Sequence, residues 1–200
     1  MDTFDAIEKR RAIKHFDPQH QITPEEVDRI LSHAILSPTS YNIQNWRFVN
    51  VVDKELRRKI RAASWNQAQV TDASMLLILC ADLKAWEKNP ARYWKNVSKE
   101  VQDYIVPAIL ECYSGQDQFM RDEAIRSCGI AAQTIMLAAK SMGYDSCLMI
   151  GFDPKEVGNL INLPKDHMTC LMIAVGKAVK AAQPRSGQLP LSDVVVTDHF

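Results

Sequence analysis

The chain has 200 residues, 46% of them hydrophobic and 24% charged, a balance that supports one ordinary domain with its own core and excludes intrinsic disorder. Its 24 basic and 24 acidic residues cancel, so no overall field draws it to nucleic acid or to an anionic membrane. The longest apolar run, Met75 to Ala81, is far too short to span a bilayer, and the N-terminus lacks the apolar stretch of a secretory signal, so the expected compartment is the cytoplasm.

In chain order, a charged amphipathic segment at the N-terminus ends in the basic run Arg10 to Lys14. Thr23-Pro24-Glu25-Glu26 then gives an N-cap, a proline at the first helical position and acids in the first turn, followed by Val27, Ile30, Leu31, Ala34 and Ile35 at helical spacing. That helix ends before Pro38. Residues 47–52 read as a strand, 54–63 as a charged helix and 74–81 as a strand buried on both faces. From 82 to 121 the pattern loosens into a helical excursion carrying Trp86, Tyr93, Trp94 and Tyr104. A long helix follows over 122–142, apolar nearly all round at its centre and stopped by Gly143. Two further strands, 147–150 and 169–175, flank a short helix over 154–161, and Val194-Val195-Val196 adds a β-branched run after the core is complete. Strands interleaved with helices without regular βαβ spacing indicate an α+β domain, a sheet covered by helices.

Three segments carry candidate chemistry. Arg10, Arg11 and Lys14 offer guanidinium forks and an ammonium to a phosphate, although a basic last helical turn also complements the helix dipole. The stretch from Ser37 to Trp46 presents hydroxyls and carboxamides suited to the uncharged edge of a planar ligand, and a turn would use the same Pro, Ser and Asn residues. In Leu148-Met149-Ile150-Gly151 a buried strand meets a glycine that lets a ligand approach the backbone; a plain strand-to-helix turn capped by Asp153 accounts for it equally. The five histidines show no HExxH spacing, no GxGxxG or P-loop pattern occurs, and no nucleophile elbow surrounds any serine, so no metal site and no catalytic side chain are assigned. The five cysteines read as small core residues.

Taken together, these segments resemble the FMN-dependent nitroreductase family, in particular its short bacterial NAD(P)H enzymes, from about Phe4 to Val196. Arg10, Arg11, Lys14 and Phe16 fit an opening RRSxRxF-like motif. Ser37, Pro38, Ser40, Asn42, Gln44, Trp46 and Phe48 fit an APSxxNxQPWxF-like segment, and the runs 65–74, 143–153 and 174–177 agree with it. The resemblance implies a single α/β/α sandwich with a mixed, mostly antiparallel sheet, a homodimer, and a tail over 184–200 that packs on the partner subunit. It implies non-covalent FMN: Arg10, Arg11 and Arg185 at the phosphate with the backbone of Ala12, and Lys14 at the ribityl chain and flavin O2. Pro38, Thr39, Ser40 and Asn42 would come from the partner, Asn66 and Gln69 would meet the pyrimidine edge, and Leu148, Met149, Ile150 and Gly151 would lie along the ring. The activity implied is ping-pong reduction of a nitroaromatic or quinone-like acceptor by NADH or NADPH. A flavin store or sensor without turnover, or a reductive dehalogenase on the same fold, are the rivals. The chain departs from the family pattern at Ala12, Asn45, Gln69, Leu148 and Gln188, which lowers the expected contribution of side chains to cofactor affinity.

Overall fold

The computed structural model describes all 200 residues. Its centre is the strand β2 (Met75–Asp82), eight residues buried without exception because the sheet is covered on both faces. Each Leu or Ile buried there contributes roughly 1.5–3 kcal/mol. Around it β1 (Trp46–Asn50), β3 (Asp145–Met149) and β4 (His167–Gly176) complete a four-stranded sheet in the order β1-β2-β4-β3, antiparallel at every pairing. Parallel character enters only through an isolated bridge between Ala12 and Ser146 beyond the β3 edge.

Two apolar layers sandwich the sheet. On one face α2 (Pro24–Ala34), α5 (Lys99–Tyr113) and α6 (Asp117–Ser141) pack over Leu77, Leu79, Ile173 and Val175. On the other, α3 (Lys54–Ala62), α4 (Gln69–Asp72) and α7 (Pro154–Leu160) cover Leu76, Ile78, Met172 and Ala174. The α/β/α arrangement follows from the alternation of these residues, which sends successive side chains to opposite faces.

The helix starts follow local chemistry. At α2 a capping box forms, with Thr23 Oγ1 accepting from the Glu26 N–H at 3.2 Å and Glu26 Oε2 accepting from the Thr23 N–H at 2.9 Å. Glu26 Oε2 also accepts from the Tyr144 hydroxyl at 2.8 Å, which ties α2 to the entry of β3. Arg57, buried on α3, donates to the carbonyls of Val51, Ala73 and Ser74 at 2.8, 2.6 and 3.2 Å, so one guanidinium satisfies three loop carbonyls beneath the sheet.

Two sequence expectations are corrected. The basic run is not a helix end: α1 (Thr3–Lys9) stops first, and Arg10 is extended, at φ −65° and ψ 124°. Burial of Ile13 and Phe16 draws the following residues onto the sheet edge instead. The long helix begins at Asp117, five residues before the expected start, while the excursion resolves into a tight turn over Pro90–Trp94 and the proline-containing α5. Within the single chain the run Val194–Val196 forms no strand: a single turn, α8 (Leu191–Val194), leads into an exposed tail. No helix is long and apolar enough to cross a membrane.

Candidate functional site

The site grows from the segment after α1. The Ile13 N–H donates to the Ser146 carbonyl at 3.0 Å, and on the other side the Asp17 N–H donates to Lys177 and the Val179 N–H to His15, at 2.8 and 3.0 Å. Held between β3 and residues 177–179, this stretch buries Ile13 and Phe16, which leaves Arg10, Arg11 and Lys14 facing outward. Pairing with Ser146 therefore sets the basic run beside the strand that leads to Gly151.

The tail completes a cationic cavity. Residues 180–188 cross over the basic run, Arg185 donates to the Glu8 carbonyl at 2.9 Å, and Arg11 donates to the Gln183 carbonyl. The open cavity, about 540 Å³, is lined by Arg10, Arg11, Lys14, Lys180 and Arg185, with Ala12 also on its wall. No carboxylate lines it. A cavity with five cations and no acid favours an anion rich in oxygen acceptors.

At the far end of the same edge, Leu148 and Ile150 are exposed while Cys147 and Met149 are buried, as a strand's period of two requires. The Cys147 thiol is pushed up by burial, while Lys14 and a hydrogen bond from Gln69 pull the other way. Both side chains thus reach this strand, Lys14 from the basic run and the buried Gln69 from α4. Gln69 Nε2 donates to Gln67 Oε1 at 3.0 Å, and Gln67 Nε2 donates to the Gly151 carbonyl at 2.7 Å, which fixes the turn after β3.

Gly151 has a specific reason to be glycine. A Cβ there would stand 2.7 Å from the Trp65 ring and 3.2 Å from Gln67 Nε2. Trp65 and Asn66 both take left-handed backbone conformations, φ 52° and 57°, which lift the Trp65 ring over Gly151 and leave it 70% exposed. Asn66 is exposed beside it. Trp65, Gln67 and Lys180 join the site although no sequence signal assigned them a role; two successive left-handed residues are invisible to periodicity.

The remaining expected residues lie apart from the cavity. Pro38, Thr39, Ser40 and Asn42 line no part of it. Their loop is tied to the turn over Pro90–Trp94, where Asn42 Nδ2 donates to the Tyr93 carbonyl at 2.8 Å and Trp94 Nε1 donates to the Tyr41 carbonyl at 3.0 Å. A separate polar cluster joins Asp82, Asp166 and His167 at the start of β4, with Lys88 Nζ at 2.8 Å from Asp82 and 2.6 Å from Asp166 and Arg47 at 3.0 Å from Asp82. Its carboxylates are occupied by these cations.

Together the helix-covered antiparallel sheet, the cationic cavity beside the segment that flanks β3 and the glycine turn after that strand have a shape and charge suited to an elongated, anion-tailed ligand. The chain belongs to the Nitroreductase family, matching it over residues 7–177. It is 50% identical over 200 residues to the protein DrgA of Synechocystis, covering 98% of this chain and 95% of that one. It is 34% identical over 189 residues to the oxygen-insensitive NADPH nitroreductase of Helicobacter pylori, covering 90% and 89%. Among solved structures, a protein of Exiguobacterium sibiricum described as a nitroreductase in complex with FMN superimposes with a TM-score of 0.90 at 29% identity, over 98% of this chain and 97% of that one.

Proposed function

We propose that the protein is a homodimeric, FMN-dependent oxidoreductase that takes electrons from NADH or NADPH and passes them to a nitroaromatic or quinone-like acceptor. The observation that carries this reading is the Ala12–Ser146 bridge, which sets the basic run lining the cationic cavity beside the strand that leads to Gly151. A phosphate-tailed planar ligand needs that combination. Arg10, Arg11 and Arg185 would hold the phosphate, and the backbone N–H of Ala12 would add the donor that its methyl side chain does not supply. Lys14 would place a positive charge beside the ring. Asn66 and Gln69 would offer carboxamides to an uncharged heterocycle edge, and Leu148 to Gly151 would lie along the ring.

When bound, FMN supplies the reversible two-electron centre. The chain's own residues orient it, balance charge near its pyrimidine edge and keep one face open; none is asked to act as an acid or a nucleophile. Donor and acceptor would use that one face in turn, which gives ping-pong kinetics. Thr39, Ser40 and Asn42, held away from the cavity of their own chain, would complete the site of a second copy. Exposed apolar residues support a dimer: Phe4 and Ile7 on α1 and Ile130 on α6 are 77%, 45% and 44% accessible on helices that pack together.

The test is to purify the full chain, record its visible spectrum, release the flavin by denaturation, and follow NADH and NADPH oxidation with a nitroaromatic and with a quinone. One FMN per chain and parallel double-reciprocal lines are expected. A colourless protein that does not take up FMN, or a flavoprotein that oxidises neither nicotinamide with any acceptor, overturns the reading.

A further inference from the structure

The loop between α2 and β1 holds three non-glycine residues in left-handed backbone conformation within four positions: Tyr41, Asn42 and Gln44, at φ 48°, 53° and 43°. Asparagine tolerates that region, whereas tyrosine and glutamine adopt it only where surrounding contacts offset the cost. Part of the support is local. The Asn42 N–H donates to the Thr39 carbonyl at 3.0 Å, the Gln44 N–H donates to Thr39 Oγ1 at 3.0 Å, and Arg47 on β1 donates to the Gln44 carbonyl at 2.8 Å.

The rest comes from 51 and 53 positions further along the chain. Trp94 Nε1 donates to the Tyr41 carbonyl at 3.0 Å and Asn42 Nδ2 donates to the Tyr93 carbonyl at 2.8 Å, so two consecutive left-handed residues are each tied to the turn over Pro90–Trp94. That turn has its own anchors. The Tyr93 hydroxyl donates to the Ala85 carbonyl at 3.1 Å, and Gln102 Nε2 on α5 donates to the Trp94 carbonyl at 3.1 Å. Tyr41, Tyr93 and Trp94 all pack against the core layer beneath α5 and α6. The clamp also fixes what the loop offers: one Asn42 amide proton is committed to Tyr93, while Thr39 Oγ1 accepts from Gln44 and keeps its hydroxyl proton for an outside acceptor.

We propose, on the basis of the dimeric FMN site inferred for this chain, that Trp94 is a positioning residue for the flavin of the second copy. Through its bond to the Tyr41 carbonyl it holds the left-handed loop in the form that presents Thr39 and Ser40 across the interface. Trp94 lines no part of the cationic cavity and needs no contact with the cofactor. Loss of the bond frees Tyr41 and Asn42 to leave the left-handed region, the hydroxyls then sample positions that miss the partner's ligand, and cofactor affinity falls.

The experiment measures FMN affinity of the full-length apo-dimers by flavin fluorescence. Trp94→Phe keeps a ring at the half-buried position and removes only the donor, so Kd should rise roughly fivefold, the factor of one neutral hydrogen bond. Gln102→Ala loosens the turn from its α5 side and should raise Kd by a smaller factor, which supplies the same test should Trp94→Phe not fold. Mixed dimers separate positioning from general destabilisation. Two differently tagged chains, one carrying both Arg10→Ala and Arg11→Ala and the other Trp94→Phe, are purified as a heterodimer. With the loop acting in trans, one site combines all the changes and the other contains none, so half the sites should bind FMN with wild-type affinity. A heterodimer without any wild-type site, or equal Kd values for Trp94→Phe and wild type, overturns the proposal and leaves the FMN dimer standing. A wild-type chain that is monomeric or takes up no FMN overturns the dimeric FMN site as well.

Discussion

The amide of Ile13 donates to the carbonyl of Ser146 at 3.0 Å, and this contact joins the basic run to the strand that ends at Gly151. It gives Arg10 a defined place on the wall of the cationic cavity. Replacing Arg10 by alanine should weaken FMN binding by about 1.5–3 kcal/mol, the scale of a charge-assisted hydrogen bond. Because Ala12 brings no hydroxyl to the same anion, the upper end is expected. Titration of flavin fluorescence against wild type and variant checks it, and equal affinities would place the phosphate elsewhere.

Gly151 and Trp65 should behave as a coupled pair. Adding a methyl group at Gly151 puts it 2.7 Å from the Trp65 ring, so Gly151→Ala should cost about 1–3 kcal/mol of stability by overpacking. In a Trp65→Ala background the same substitution should cost far less, since the clashing ring is gone. Urea denaturation of the four proteins of this cycle measures the coupling, and additive effects would show that the ring swings aside freely.

Arg57→Leu removes the donor shared by the carbonyls of Val51, Ala73 and Ser74. With the loops still closed over them, those acceptors lose their partner, and a loss of about 3 kcal/mol or more is expected. A midpoint in urea close to that of wild type would mean that water replaces the guanidinium.

Asp166 gives a pH signature. Hydrogen bonds from Lys88 and His167 hold its carboxyl at about 2, below the ordinary carboxylate value. A depressed folded-state value means that the unfolded chain binds the proton first, so the stabilisation is complete above the ordinary carboxylate value and is lost as pH falls toward about 2. The stability difference between wild type and Asp166→Asn should therefore shrink across that acid window and stay constant from mildly acidic to neutral pH. A difference independent of pH throughout would rule out this source.

Truncation after Gln188 tests the tail. Val194, Val195 and Val196 are 57%, 59% and 51% exposed in the single chain and belong to no strand of its sheet. If they cover a second copy, their removal should weaken the dimer in sedimentation experiments and lower flavin occupancy at the same protein concentration. A truncated chain that sediments and retains FMN like the full one would confine the tail to its own surface.

The sequence by itself determined the elements whose signals are local. Thr23, Pro24 and Glu26 announce α2 through a capping box, and the unbroken apolar run after Ser74 announces a strand covered on both faces. It also carried the family resemblance, because motif residues keep their order along the chain. Only the tertiary structure decided what touches what. Val194–Val196, a β-branched run, forms no strand within the single chain, because β propensity acts only where a sheet edge is there to pair with. Trp65 reached Gly151 through two consecutive left-handed residues that no pattern of hydrophobicity records. Cys170 came to face the α6 layer because one extra residue in β4 reversed the side of the sheet it faces, a register fact that exists only once two strands have paired.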